Sequence, residues 1–178
     1  MRTVLLMLGA TLAFGQGPQF TSDNKLVKPK DYREWIFLSS GLGMTYGGGQ
    51  QDPANPLFDN VFVNPPAYRE FMKTGKWPEG TIFVLEVRNS SAKESINQGG
   101  HFQSTVNHMS AEVKSSKFKD GWAFFPLSDA GPSGALPASA GCQACHGKNG
   151  AVENTFVQFY PTLLPVAKEK GTLKKSAE

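Results

Sequence analysis

With only two cysteines and three histidines in 178 residues, the chain has neither a disulfide framework nor a histidine-rich metal cage. Its 18 Lys and Arg stand against 15 Asp and Glu, dispersed without a strong cluster. The electrostatic footprint of a nucleic-acid-binding face is therefore missing. After the first fifteen residues no apolar run approaches the roughly 20 residues that cross a bilayer. Internal repeats are absent as well. What remains is a composition 39% hydrophobic and 11% aromatic, enough to bury one core in a length that suits one domain.

The first residues are the exception to this even texture. Met1-Arg2 gives a positive start, Thr3 to Phe14 is uncharged around Val4-Leu5-Leu6-Met7-Leu8, and Ala13 and Gly15 stand at the −3 and −1 positions of a cleavage site. Residues 1–15 therefore read as a secretory signal peptide rather than a buried helix. The mature chain is expected outside the cytoplasm, in the periplasm or an equivalent compartment, with no membrane span after removal of the signal. Residues 16–30, polar with Pro and Lys, read as a flexible lead-in.

Beyond it the chain alternates strand and turn signals. Asp31-Tyr32-Arg33-Glu34-Trp35 suits one helical turn with Asp31 as its cap, leading into a strand at Ile36-Phe37-Leu38. Residues 41–56 hold seven Gly or Pro and read as loop. Val61-Phe62-Val63 reads as a strand, and Asn64-Pro65-Pro66 opens a helix with Tyr68, Phe71 and Met72 on one face and Gly75 at its end. Thr81–Arg88 is the strongest strand and is apolar on both pleat faces, with Phe83, Leu85 and Val87 on one side. His101–Val113 alternates loosely, and Asp120-Gly121 turns into Trp122–Phe125. Near the end, residues 147–150 read as loop, Thr155–Tyr160 as helical, and a last helix holds Pro165 and stops at Gly171. The expected fold is α+β, an antiparallel sheet with flanking helices, over residues 31–171, followed by a tail at 172–178.

Both cysteines lie in one pentapeptide, Cys142-Gln143-Ala144-Cys145-His146. Two thiols separated by two residues can each add across one haem vinyl group, and the adjacent imidazole can then serve as axial iron ligand. This reading assigns one covalent haem c per chain to Cys142, Cys145 and His146. Competing readings are a thioredoxin-like redox pair, a structural zinc site completed by His101 and His108, and a plain disulfide. The first lacks a preceding strand, since the motif follows a Gly-, Pro-, Ala- and Ser-rich stretch at 130–141. The second asks two adjacent residues to reach one metal, and the third leaves His146 without a purpose.

Around the motif, the chain resembles the cytochrome P-460 family, closest to its cytochrome c′-beta branch. The resemblance runs through Asp31–Trp35, Val61–Tyr68, Lys73-Thr74-Gly75, Gly80-Thr81, Gly121–Phe124, the pentapeptide and Phe159-Tyr160-Pro161. It implies a homodimer built on antiparallel sheets and a five-coordinate haem whose far side is open to NO, CO or hydroxylamine. Hydroxylamine-oxidising members carry a Lys joined to the haem edge at the position that falls on Leu85 here. Leucine cannot form that link, so Leu85 is a candidate distal cap, with Phe58 as its companion, and no catalytic residue is assigned. The loop Leu136–Ala140 is expected near the haem.

An apolar lid would disfavour bound water and anions and suit NO or CO binding or scavenging. A hydroxylamine- or NO-converting oxidoreductase would instead use a proton acceptor, for which Glu86, His101 and His108 are the candidates. Alternation turns Glu86 away from Leu85, and the two histidines read as surface or dimer-edge residues. A sixth ligand from Met44, Met72 or Met109 would make an electron carrier with a redox partner. Lys114, Lys117 and Lys119 read as a solvated edge.

Overall fold

Strand Ile82–Ser91 forms the centre of the molecule because its apolar residues alternate onto two cores at once. The computed structural model describes residues 17–46, 49 and 51–175; the expected signal peptide lies outside the described residues. The strands β1 (Ile36–Leu42), β2 (Phe58–Val63), β3 (Ile82–Ser91), β4 (Phe102–Lys114) and β5 (Trp122–Leu127) pair in sequence order. Every pairing is antiparallel, so the expected α+β fold is the fold observed. Helices α1 (Pro65–Thr74), α2 (Cys142–Asn149) and α3 (Leu164–Glu169), with three short 3-10 turns, complete it among the described residues.

On one face, Val63 and Phe83 pack with Phe71 of α1, Trp77, Trp122, Tyr160 and Leu163. On the other, Ile82, Val84, Ala111, Val113 and Phe125 pack under Leu26, Tyr32 and Trp35. The lead-in read as flexible is in fact packed here from Phe20 to Lys28. Leu26 is wholly buried and bridges Ser133, and Lys28 pairs with Asp129 at 2.8 Å. Its few apolar side chains, Phe20 and Leu26, cover the end of the second core.

Several boundaries move for identifiable reasons. The first strand continues through Gly41 and Leu42, because these residues pair with Asp59 and Phe58 despite the glycine-rich stretch that follows. Asp31 occupies the cap position of the 3-10 turn Tyr32–Glu34 without a side-chain bond. Asn64 does not cap α1 either. Its side chain instead accepts from the Ile82 N–H at 3.0 Å and donates to the Gly80 carbonyl at 3.1 Å, tying the helix entrance to β3. Met72 leaves the apolar face it was expected to share and is exposed, while Phe71 is fully buried. Of the expected loop at 147–150, residues 147–149 are the last three residues of α2. Residues 172–174 are bonded to the body, not a free tail: Thr172 N–H reaches Ala167 and Lys174 N–H reaches Ala151.

Candidate functional site

The sheet register sets three rows of side chains on the face that carries α2. The first row is Val63, Phe83, Glu112 and Phe124; the second is Val61, Leu85 and Ser110; the third is Gly41, Asp59, Val87 and His108. Successive rows are two residues apart, about 7 Å along the strands. Over them lies a cavity of about 630 Å³, walled also by Met44, Tyr46, Leu136, Phe156 and Phe159, and reached by Cys142, Cys145 and His146. That volume falls within the roughly 300–1,000 Å³ typical of cofactor sites.

Helix α2 starts after Gly141, whose φ of +76° is left-handed and favours glycine. It places the free thiols of Cys142 and Cys145 on one turn at the cavity. His146 lies between the rings of Phe124 and Phe156, with centroids 4.5 and 4.4 Å away. Its Nδ1 lies 2.9 Å from the Asn154 carbonyl. A carbonyl can only accept, so Nδ1 carries the proton and Nε2 keeps its lone pair for a metal. Asn154 is presented by a tight turn. Glu153 has φ +52°, an uncommon conformation for a non-glycine residue, and is held by Lys114 at 2.7 Å and the Trp122 indole N–H at 3.1 Å. Lys114, read as a solvated edge, is therefore a part-buried strut that also donates to the Trp77 carbonyl at 2.7 Å.

Glu112 Oε2 stands 3.3 Å from His146 Nδ1, while its Oε1 is buried without a partner. Burial pushes the Glu112 carboxyl above its ordinary range, although His146 opposes the shift. Burial likewise raises Asp59, against the pull of His108. Asp59 makes no hydrogen bond or ion pair among the described residues.

Leu85 lines the cavity and the Leu136–Ala140 loop reaches it. Phe58 does not. It pairs with Arg88 and so shares the opposite face with Asn60 and Phe62, because an even position on β2 cannot face the same way as Val61. Glu86 points away from Leu85 and is buried with Tyr32, Arg33 and Arg88. His108, read as a surface or dimer-edge residue, borders the cavity although exposed, whereas His101 rests on the Ala54 carbonyl at 3.1 Å. Of the three methionines only Met44 reaches the cavity; Met109 is buried in the opposite core. Among the described residues no three His, Cys, Asp or Glu side chains converge to hold a metal ion, so His101 and His108 do not complete a zinc site with the pentapeptide.

Sequence reasoning missed Asp59, Glu112 and Asn154. A carboxylate within a strand, Asp59 in β2 and Glu112 in β4, was the available signal for the first two; nothing in the sequence singled out a backbone carbonyl.

The donor set therefore suits a flat, largely apolar group carrying a metal: two thiols to hold its edge, one imidazole nitrogen and hydrocarbon walls. The family described as Cytochrome P460 matches residues 29–157, a span that takes in all five strands, the pentapeptide and Asn154. No curated protein matches the chain.

Proposed function

This chain belongs to the cytochrome P460 family and is a haem-binding cytochrome; we propose that it is an exported, c-type member of the c′-beta kind that binds NO, and also CO. Haem would supply an iron centre able to bind a small ligand such as NO. Cys142 and Cys145 would fix it as two thioethers, each S–H adding across one vinyl C=C, so no oxidant is consumed. His146 would ligate through Nε2, with Asn154 keeping the ring in the required tautomer and Phe124 and Phe156 limiting its rotation. Leu85 and its neighbours Val61 and Val87 would keep water scarce along the wall. The reading also includes a homodimer, formed through the face away from the cavity, where Phe37 and Val106 are 53% and 42% exposed.

The observation that carries this reading is a histidine whose Nδ1 is engaged and whose ring borders a mainly apolar cavity shared with two thiols. Asp59 favours a second reading, an oxidoreductase acting on hydroxylamine or NO. A half-buried carboxylate without a partner, its affinity for protons raised by burial, is the kind of group that accepts a proton near a reacting centre.

Absorption spectra of the purified protein test both. Haem that survives denaturation and extraction, with a five-coordinate high-spin ferrous spectrum that changes on adding NO, supports the first reading. Hydroxylamine turnover lost in Asp59→Asn supports the second. A colourless protein, or a low-spin spectrum that reverts to high-spin in Met44→Leu, overturns both; the latter would indicate an electron carrier.

A further inference from the structure

We infer that Glu112 is a positioning residue for the iron ligand, a carboxyl held beside the His146 Nδ1–H that tunes the ring's strength as a donor. The inference rests on His146 being the axial ligand. Glu112 is 9% exposed and sits on β4, paired with Phe83 on one side and Phe124 on the other. The strand thus fixes its position more firmly than a loop would. Its Oε2 lies 3.3 Å from Nδ1, while the Asn154 carbonyl, at 2.9 Å, takes the better-directed bond. The Nδ1 proton goes to the Asn154 carbonyl, and the Glu112 carboxyl stands beside it within ion-pair range.

A packing role alone does not account for a carboxyl here. Oε1 is buried and unpartnered, and Lys114, from the same strand, is occupied by Glu153 and the Trp77 carbonyl. Glu153 adds negative charge on that side. An apolar residue of similar size would fill the space without leaving a buried oxygen unsatisfied. What the carboxyl adds is electron density behind a metal-binding imidazole, which raises ligand basicity and favours the oxidised metal.

The test compares holoprotein carrying Glu112→Gln, which keeps the shape and removes the charge, with wild type and with Glu112→Leu. Resonance Raman of the ferrous form reads the iron–imidazole stretch, and a redox titration reads the midpoint potential. Glu112→Gln should retain full haem content, lower the stretching frequency and raise the potential. Glu112→Leu should move both further in the same directions. Wild-type frequency and potential in a haem-loaded Glu112→Gln protein overturn the inference even if Glu112→Leu fails to fold. If wild type itself shows no iron–imidazole stretch, the assignment of His146 falls, and the role of Glu112 with it.

Discussion

A buried carboxylate and a half-buried one on neighbouring strands respond to pH in opposite directions. Burial works against the charge of Glu86, but the Tyr32 hydroxyl, Arg33 and Arg88 outweigh it and hold its pKa below the ordinary 4.5. The same contact helps push the Tyr32 phenol up to about 12, burial being the larger cause. A lowered folded-state pKa stabilises the fold fully above the unfolded value, and that contribution is lost as pH falls through the folded one. Glu86→Gln should therefore cost about 3 kcal/mol at neutral pH in denaturant titration, the low end for breaking a buried pair because Arg33 is half-exposed and can return to water. The deficit should shrink below pH 4.5. Asp59 has the reverse sign. Its raised pKa makes the ionised form unfavourable in the fold, so Asp59→Asn should melt higher than wild type at pH 7, an advantage that disappears below its ordinary 3.8. Residues of this kind were half legible. Alternation alone placed Glu86 opposite Leu85, but Phe58 needed the register of β2 against β3, which a single strand's sequence does not contain.

At the level of elements, the turn after α2 governs the histidine more than the helix does. A Cβ at Gly150 would lie 2.7 Å from the Asn154 carbonyl carbon and the His146 carbonyl oxygen, and 2.8 Å from the Thr155 nitrogen. These are backbone atoms, so the turn has to open. Gly150→Ala should destabilise by about 2 kcal/mol and speed hydrogen exchange at the Gly150 and Thr155 amides, which now bond His146 and Val152. The strands of the sheet were legible because β-branched and aromatic runs met clear turn residues, as at Asn64-Pro65 and Gly121. Helix α2 was only partly so. Its composition, Cys-Gln-Ala-Cys-His-Gly-Lys-Asn, lacks an apolar face, and Gly147 within it reads as a breaker when the tertiary support from Gln158 and Lys174 is unknown.

For the molecule as a whole, the meander of five strands divides the labour. One face is closed by α1, α3 and the aromatic cluster around Trp77, and carries the cavity; the other is covered by the lead-in at one end only and leaves Phe37 and Val106 exposed. The proposed homodimer should sediment as a dimer in the wild type and as a monomer after Phe37→Lys with Val106→Lys, without loss of the haem spectrum. A wild-type monomer would count against it. The general architecture followed from the order of strand signals, yet the packed lead-in could not be foreseen, since Phe20, Leu26 and Val27 are the few apolar residues in a polar stretch and only the surface they meet gives them meaning.

Lys174 donates its backbone N–H to Ala151 and its ammonium group to Gly147, each at 2.8 Å. The last described stretch of chain is thus a strap across the element that holds both cysteines. Trimming the protein back to Gly171, or fusing an affinity handle hard against Lys174, would loosen the cradle from behind. Proteins shortened in this way should retain less haem than the full chain, read as haem content after purification, and a handle is better separated from Lys174 by a generous spacer.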